Sequence, residues 1–578
     1  MPNRIRGISV FILCAILVLL LRLAQIQLLE PESFGKHHIN LLEESVKQRA
    51  QEFLLDDGRG EFYDKNGRAL TGTKVPSLVL FPFLKDMDWD VEALAEILNV
   101  TPEEIEAAVR AAEKPFVFGR PLTEEEMEKI NRLNIPGAFA VYKETDGKDT
   151  IAAQLIGVIG ENGKLFRERY PDRSGSAKTP VGLTGLQKGF DEFLIPEENS
   201  RLVFHVDGKG DPLFGLHVRY ISPANPYTPL QVITTIDGEI QREAERIADL
   251  HKMKKGGIVL LDIETNSVLA LVSRPDLNRE QPFSGEGSKN FPATAQIPGS
   301  VFKTVIAAAA IEEGIVPPDR QFDCDRPIAG EGEAERKLGA LDFPDSFAQS
   351  CNYTFAQLAK ELAEKDKNLI EKYAEKLGLL EPVGWRGDVF RLPDFRQLPD
   401  EEGGRVFLND EERRDKSFAA LTGIGQKNVR ITPLAAANMM AAIARGGEKK
   451  QVRFVSEIRY ADGSTMFSFP EQRMAGENIS PDTAKALQKL LRGVVEKEKG
   501  TGSALNRLPA AVAGKSGTAE TNRYAGEKQL LNKWFVGYFP YEKPKYALAV
   551  VNLEVFADEG SVLPIFADMV KYLHGKGS

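Results

Sequence analysis

The chain begins with an almost unbroken apolar run from Ile8 to Leu21, preceded by Arg4 and Arg6 and followed by Arg22. The strictly apolar part is shorter than the roughly 20 residues that span a bilayer, which leaves a cleaved signal peptide open as an alternative. No small-x-small cleavage site follows the run, and Arg22 can extend its charge to the interface, so the pattern favours an uncleaved anchor. The early arginines then predict a cytoplasmic N-terminus and an external remainder.

Beyond this run the chain changes between helical and strand periodicities. A polar helical pattern over 31–49 predicts a stalk, and Asn66-Gly67 predicts a tight hairpin turn. Thr101 and Thr123 each stand before acidic residues in the manner of a helix N-cap, so a helix is expected after both. These elements predict a mixed region of helices and strands.

Glycine and proline crowd between Gly208 and Pro229, which predicts a domain boundary. After it, Gln231 to Asp237 alternates like a strand, and a helix with apolar residues at helical spacing follows. Gly257 to Val272 predicts a β-hairpin that turns at 264–266. Further strands are expected at 513–520, 534–539 and 546–551, and a terminal helix at 565–574.

Composition limits the class of protein. The chain has 578 residues, 42% hydrophobic and 27% charged, which predicts a multidomain globular protein. Its net charge of −10 and the lack of a basic segment argue against a nucleic-acid partner. Three cysteines make no disulfide framework, although a Cys324–Cys351 bridge stays open. The six histidines form no metal-binding motif, so no metal is expected.

The first chemical motif is Ser300-x-x-Lys303, which precedes a helix rich in alanine and isoleucine. Residues three apart on a helix are neighbours, so a neutral Lys303 amine could take the proton of the Ser300 hydroxyl. A free lysine titrates near 10.4, so this role needs a pKa about three units lower, through burial and a second nearby cation. The pattern alone is common, and it requires a second lysine in the site.

The second motif is Ser350-Cys351-Asn352, at the start of a helical stretch. A hydroxyl and an amide two residues apart can point into one cleft where the backbone is irregular. Ser288-Lys289-Asn290 matches the same pattern just upstream of Ser300, and we interpret this copy as a loop without a catalytic role.

The third motif, Lys515-Ser516-Gly517-Thr518, lies in a strand pattern. Lys515 supplies the second cation, which could hold a substrate carboxylate and lower the pKa of Lys303. Gly517 would let a substrate backbone approach the strand. The backbone N–H groups of Ser300 and Thr518 are the expected oxyanion donors. Three motifs in this order are far more specific than any one of them.

With these motifs the sequence resembles the class B penicillin-binding proteins, monofunctional peptidoglycan transpeptidases, over nearly its whole length. Further segments carry the resemblance: two are similar to the pedestal of that family, one to the opening of its penicillin-binding domain, and one to the stretch between its second and third motifs. These are 59–67, 182–191, 232–241 and 425–434.

The resemblance implies a role for each motif residue. Ser300 would be the acylated nucleophile and Lys303 its base, while Ser350 would relay protons and Asn352 would bind the substrate amide. Lys515 would complete the catalytic set. The substrate carboxylate and the oxyanion would be bound at Ser516, Gly517 and Thr518.

Some positions depart from the family pattern. Lys427 follows Gly425-Gln426 where a glycine is usual, and Gln187 stands where a glutamate is common. The Arg-Tyr-Pro that usually precedes the segment 152–157 is missing. None of these positions lies in the three motifs, so they bear on the subfamily and leave the chemistry unchanged.

The resemblance implies an α+β fold in which a transmembrane helix and an elongated mixed pedestal precede a transpeptidase domain. That domain would have an antiparallel sheet flanked by helices, as in serine β-lactamases. The expected boundaries are a cytoplasmic tail at 1–6, an anchor at 7–29, a pedestal of the dimerisation type at 30–225 and the transpeptidase domain at 226–578.

The resulting hypothesis is a DD-transpeptidase that cross-links stem peptides through a serine acyl-enzyme and binds β-lactams covalently. A DD-carboxypeptidase side activity is compatible with it, and no cofactor is expected. The expected partners are peptidoglycan stem peptides, β-lactams, the cytoplasmic membrane through a single-pass anchor and, through the pedestal, other wall-synthesis proteins. The alternatives are a non-catalytic β-lactam sensor or scaffold, and a β-lactamase.

Overall fold

The structure is a computed structural model that describes residues 2–29, 50–145, 151–173, 179–196, 199–206, 218–222, 225–328, 334 and 336–577. The chain divides into two compact units. Unit 1 comprises 1–59, 72–146 and 196–225, and unit 2 comprises 60–71, 147–195 and 226–578. Unit 2 therefore includes two segments that precede residue 226 in the chain.

The α-helices, in chain order, are α1 Pro2–Ala24, α2 Val91–Leu98, α3 Pro102–Ala111, α4 Glu124–Arg132, α5 Ala153–Ile156, α6 Gly163–Arg169, α7 Gly185–Gly189, α8 Asp191–Leu194, α9 Gly238–Leu250, α10 Lys303–Glu312, α11 Phe343–Ala348, α12 Asn352–Lys365, α13 Leu369–Lys376, α14 Asp410–Arg414, α15 Lys416–Gly423, α16 Pro433–Ala444, α17 Pro481–Glu496 and α18 Leu563–Gly577. A π-helix spans Gln25–Leu29, and 3-10 turns span Pro82–Asp86, Phe291–Ala293, Gly299–Phe302 and Ser503–Leu505.

The strands are β1 Ala50–Asp56, β2 Glu61–Tyr63, β3 Thr73–Leu80, β4 Phe116–Phe118, β5 Ala138–Thr145, β6 Ile159–Glu161, β7 Pro180–Gly182, β8 Ser200–His205, β9 Arg219–Ile221, β10 Gln231–Thr234, β11 Gly256–Asp262, β12 Ser267–Arg274, β13 Gln321–Asp323, β14 Ala340–Asp342, β15 Arg386–Val389, β16 Leu392–Arg396, β17 Val455–Arg459, β18 Thr465–Ser468, β19 Ala513–Ala525, β20 Lys528–Phe539 and β21 Tyr546–Val555.

The N-terminal apolar run is helical, as expected of a segment that meets lipid. By length and composition, the stretch Arg6–Leu29 could cross a membrane. Its large apolar side chains are exposed, and Phe11 is 74% exposed. Among the described residues of unit 1, none therefore covers the apolar surface of this helix. The predicted stalk over 31–49 lies outside the described residues.

Unit 1 has two three-stranded sheets, in the orders β1-β8-β9 and β4-β3-β5. Leu78 and Leu80 of β3 pack with Leu94 of α2 and Ile105 of α3 in one core. The predicted caps begin α3 and α4: the Thr101 hydroxyl accepts the N–H of Glu104, and Thr123 forms a reciprocal capping box.

Unit 2 is built on a five-stranded antiparallel sheet in the order β12-β11-β21-β20-β19. Successive residues of β11 enter opposite cores, because strand side chains alternate between the two faces. Ile258 and Leu260 pack with α9 and α18, whereas Val259 and Leu261 face the core that contains α10 and α16. Burial on both faces explains the continuous apolar runs in these strands.

The hairpin predicted over 257–272 is confirmed as β11 and β12, with Asn266 in the left-handed region at φ +51°. The predicted strand at 231 is β10, which pairs parallel to β2 and antiparallel to β17. The predicted α+β class, with an antiparallel sheet flanked by helices, is confirmed. The positions 210, 212 and 223, which contribute to the predicted boundary, lie outside the described residues.

Candidate active site

The structure brings the three motifs together in unit 2. Ser300 lies in the 3-10 turn Gly299–Phe302, hereafter the serine turn, and Lys303 is the first residue of α10. Ser350 lies between α11 and α12, and Asn352 begins α12. Lys515 lies on β19, the outer strand of the five-stranded sheet among the described strands.

Glycines allow the serine turn to pack against β19. A Cβ at Gly299, where φ is +54°, would lie 2.2 Å from the carbonyl oxygen of Thr518, and a Cβ at Gly517 would lie 2.5 Å from that of Pro298. The Gly299 N–H also donates to the Gly425 carbonyl at 3.0 Å. The space left by the missing Gly517 side chain is therefore used by the protein's own serine turn. The same contacts place the segments that carry the two expected oxyanion donors side by side.

Lys303 is fully buried and held by the second motif. Its Nζ lies 2.9 Å from the Ser350 carbonyl oxygen, 3.1 Å from Ser350 Oγ and 2.6 Å from Asn352 Oδ1. The amine of the first motif and the hydroxyl and amide of the second therefore form one hydrogen-bonded group.

Ser350 has the irregular backbone that the motif requires. Its φ of +59° lies in the left-handed region, which costs a non-glycine residue about 1–2 kcal/mol. Residues in such conformations often mark functional sites. A disulfide between Cys351 and Cys324 ties this segment to the chain next to β13. The sequence left open whether these two cysteines pair, and the structure contains the disulfide.

Lys515 approaches the same hydroxyl from β19. Its Nζ lies 3.1 Å from Ser350 Oγ and 3.0 Å from the Ser516 carbonyl oxygen. Burial, with a smaller contribution from the charge of Arg336, lowers the pKa of Lys515 to about 7. Lys515 therefore loses its proton more readily than an exposed lysine would.

One residue beside the site was missed by motif reasoning. Thr501 Oγ1 accepts the Ser516 hydroxyl at 2.7 Å, and the Thr501 N–H donates to the Ala348 carbonyl at 3.1 Å. Thr501 thus connects the third motif to α11, which precedes the second. The only sequence signal is its place between Gly500 and Gly502.

The fold and the site define a class of protein that comparison with known families identifies. Residues 256–571 match the penicillin-binding protein transpeptidase domain, and residues 56–220 match the penicillin-binding protein dimerisation domain. The first match covers more than half of the chain. The chain therefore belongs to the penicillin-binding protein family, and the two domains together indicate a class B member, as the motifs predicted.

Individual relatives agree with this assignment. Stage V sporulation protein D of Bacillus subtilis is 26% identical over 520 residues, which cover 85% of this chain and 73% of that protein. The peptidoglycan D,D-transpeptidase MrdA of Haemophilus influenzae is 23% identical, and the match covers 90% of this chain and 84% of that protein. A solved structure described as the structural coordination of polymerization and crosslinking by a peptidoglycan synthase complex has the same fold. Its TM-score is 0.67 at 22% identity, over 98% of this chain and 97% of that one.

Proposed function

We propose that this penicillin-binding protein is a peptidoglycan D,D-transpeptidase that works through an acyl-enzyme on Ser300 and is acylated by β-lactams at the same residue. The observation that carries the proposal is the position of Ser350 Oγ, 3.1 Å from the amines of both Lys303 and Lys515. Three motifs far apart in the chain thus share one proton-carrying hydroxyl. Relatives named as D,D-transpeptidases support the reaction class.

In the first half-reaction, Ser300 Oγ attacks the carbonyl carbon of the penultimate D-Ala of a stem peptide while the neutral Lys303 amine takes its proton. The oxyanion of the tetrahedral intermediate accepts hydrogen bonds from the N–H groups of Ser300 and Thr518. The C–N bond to the terminal D-Ala breaks, and the leaving amine receives a proton through Ser350. D-Ala leaves, and an ester to Ser300 remains.

In the second half-reaction, an amine of a neighbouring stem peptide attacks the ester carbonyl and loses a proton to the lysine pair through Ser350. A new amide forms, and Ser300 recovers its proton as the C–O bond breaks. Water in place of the amine would give the DD-carboxypeptidase side reaction.

The other site residues bind the substrate. Lys515 in its protonated state and the hydroxyl of Thr518 would hold the terminal carboxylate, since charge-assisted hydrogen bonds are the stronger ones. The Ser516 hydroxyl would join them by turning its proton from Thr501 Oγ1 to the carboxylate. The amide of Asn352, whose Oδ1 is already bonded to Lys303, would donate through Nδ2 to a substrate carbonyl. Gly517 would serve the site by letting the serine turn pack closely against β19. This set needs no cofactor.

The same proposal covers location and organisation. The apolar helix supports a single-pass anchor in the cytoplasmic membrane, with the catalytic domain outside. The predicted boundaries at 1–6, 7–29, 30–225 and 226–578 remain our proposal for the domains. Similarity to a synthase-complex structure supports binding to other wall-synthesis proteins through the pedestal.

A fluorescent penicillin tests the proposal. The full-length chain in detergent should form a covalent adduct, and peptide mass analysis should find it on Ser300. No adduct, or an adduct on another serine, would refute the assignment. The lifetime of the adduct separates two rivals, because hours favour a transpeptidase and seconds a β-lactamase. Cross-linking of a synthetic stem pentapeptide to an acceptor amine separates the enzyme from a sensor or scaffold.

A further inference from the structure

A cavity of about 590 Å³ lies in unit 2 beside the segment that leads into the serine turn. Its wall includes Gln296 and Ile297 from that segment and Thr521 and Arg523 from β19, beyond the third motif. The volume is in the range of small-molecule sites. The catalytic residues proposed above do not line this cavity, so its own side chains must explain what it binds.

The cations that line the cavity are paired with carboxylates, with one exception. Lys255, Lys289 and Arg523 each have a glutamate carboxylate oxygen at 2.6 to 3.0 Å. Arg430 forms no ion pair with any residue that the structure describes. Its Nη1 donates to two backbone carbonyls at 2.7 and 2.9 Å. The remaining N–H groups of this guanidinium are available to a ligand.

A second arginine stands directly beside Arg430. Arg405 and Arg430 exchange both backbone hydrogen bonds at 2.9 Å, as an antiparallel pair. The side chains of such a pair project from the same face with Cβ atoms about 5 Å apart, and like charges there are destabilising. Arg405 also has no ion pair among the described residues, and its Nε donates to a backbone carbonyl. Burial and the charge of Arg405 lower the pKa of Arg430.

The carboxylates of the cavity wall do not neutralise this pair. Asp400 pairs with Lys188, and Glu402 accepts the backbone N–H of Ala295 at 2.8 Å. Neither lies within ion-pair distance of Arg430. Neither of the two adjacent guanidinium groups therefore has a carboxylate within ion-pair distance in the part of the protein that the structure describes.

Asn290 adds an independent sign of a missing partner. It lines the cavity, and both side-chain atoms, Nδ2 and Oδ1, are buried without a hydrogen-bond partner among the described residues. Leaving a buried polar group unsatisfied costs about 1–3 kcal/mol, so such groups are rare unless a ligand or water binds them. Asn290 belongs to the copy of the second motif that we interpreted as a loop without a catalytic role.

We infer that this cavity binds an oxyanion, a carboxylate or a phosphate, through Arg430, with the adjacent Arg405 adding positive charge and the unpartnered Asn290 amide in the same wall. Guanidinium groups match both anions with paired hydrogen bonds. Ile431 pairs with Gln296, four residues before Ser300, so the bound anion lies beside the segment that carries the serine turn. The site is independent of the chemistry proposed for Ser300. A peptide carboxylate and a phosphate-bearing molecule are its two sources.

Isothermal titration calorimetry of the full-length protein in detergent, with inorganic phosphate and with glutarate at constant ionic strength, tests the site. Saturable millimolar binding is expected, weakened at least about tenfold in the double variant R405Q/R430Q and about threefold in R405Q alone. Arg405 is exposed, so the single variant should remain folded if the double variant does not. The tighter of the two anions identifies the source.

The matched control is K485Q/K489Q, which removes the same charge from exposed positions of α17. It should bind both anions as the wild type does. Ser300→Ala should also keep anion binding while losing the penicillin label, so that failure of the proposed chemistry and failure of this site are distinguishable. No saturable binding to the wild type, or equal weakening in the α17 control, would overturn the inference.

Discussion

Unit 2 buries lysines in two places, and their partners differ. In the candidate active site, Lys303 and Lys515 are 0% exposed and both contact the hydroxyl of Ser350. Elsewhere, Lys449 is 2% exposed, and its Nζ contacts two backbone carbonyls, of Glu375 at 2.9 Å and of Ala475 at 3.2 Å. Burial lowers the pKa of Lys449, as it does that of Lys515.

The difference lies in what the partner can do. A carbonyl only accepts hydrogen bonds, so neither partner of Lys449 can pass a proton to or from its amine. A hydroxyl both donates and accepts, so Ser350 can remain bonded to a lysine in either protonation state. We therefore propose that burial against a hydroxyl shared with a second amine, rather than burial alone, distinguishes the lysines of the candidate active site.

The largest expected effect tests whether Ser300 is the nucleophile of the candidate active site. Ser300→Ala should reduce covalent penicillin labelling at least about 1000-fold, because the nucleophile is gone. Gel fluorescence after timed incubation measures it. Ser288→Ala, in the upstream copy of the second motif, is the matched control and should label at the wild-type rate. A label that persists in Ser300→Ala would contradict the role of the site.

The next largest effects are expected from variants that compare Lys303 and Lys515 with Lys449. Lys515→Met and Lys303→Met should slow acylation by at least about 100-fold, the usual contribution of a proton-transfer group, with the fold intact. Lys449→Met should acylate normally and lose about 2 kcal/mol of unfolding free energy, because two buried carbonyls lose their donor. Stopped-flow acylation and urea unfolding measure the two effects. If Lys449→Met slowed acylation and left the stability unchanged, the proposed difference between Lys449 and the other two lysines would be refuted.

The pH dependence of stability sharpens the comparison. The folded pKa of Lys515 is about 7, below its ordinary value near 10.5, so the unfolded chain binds more protons between these values. The contribution of Lys515 to stability therefore rises with pH from about 7 to 10.5 and falls toward lower pH. Relative to Lys515→Met, the thermal midpoint of the wild type should shift upward between pH 7 and pH 9.5. A difference independent of pH would show that the pKa of Lys515 is unperturbed.

The smallest effect concerns the residue that positions Ser516. Thr501→Val keeps the shape and removes the hydroxyl that accepts from Ser516, and it should slow acylation about three- to tenfold. Thr304→Val is the matched control, since the Thr304 hydroxyl is buried without a partner among the described residues. It should acylate normally and be no less stable. Equal effects of both variants would show that the Thr501 hydroxyl does not position Ser516.

Much of the fold followed from local patterns. The hairpin at 257–272 and the helix caps at Thr101 and Thr123 depend on residues close together in the chain, and the structure has all three. Lys427, noted as a departure from the family pattern, has φ +61°, which explains why glycine is usual there.

Local patterns could not predict which distant segments of the chain pair with one another. The bridge between Arg405 and Arg430 and the disulfide between Cys324 and Cys351 depend on how distant segments pack. The same holds for the segments 60–71 and 147–195, which belong to unit 2 although residues of unit 1 separate them from the rest of it in the chain.

The sequence by itself determined the motif residues and the apolar helix, because residue type and short spacing carry that information, while the α+β class followed from the resemblance to a known family. Only the tertiary structure decided that Ser350 stands between two amines. Those hydrogen bonds join residues 47 and 165 positions apart, and packing sets such distances. It also decided that Lys515 is fully buried, which is the physical cause of its lowered pKa.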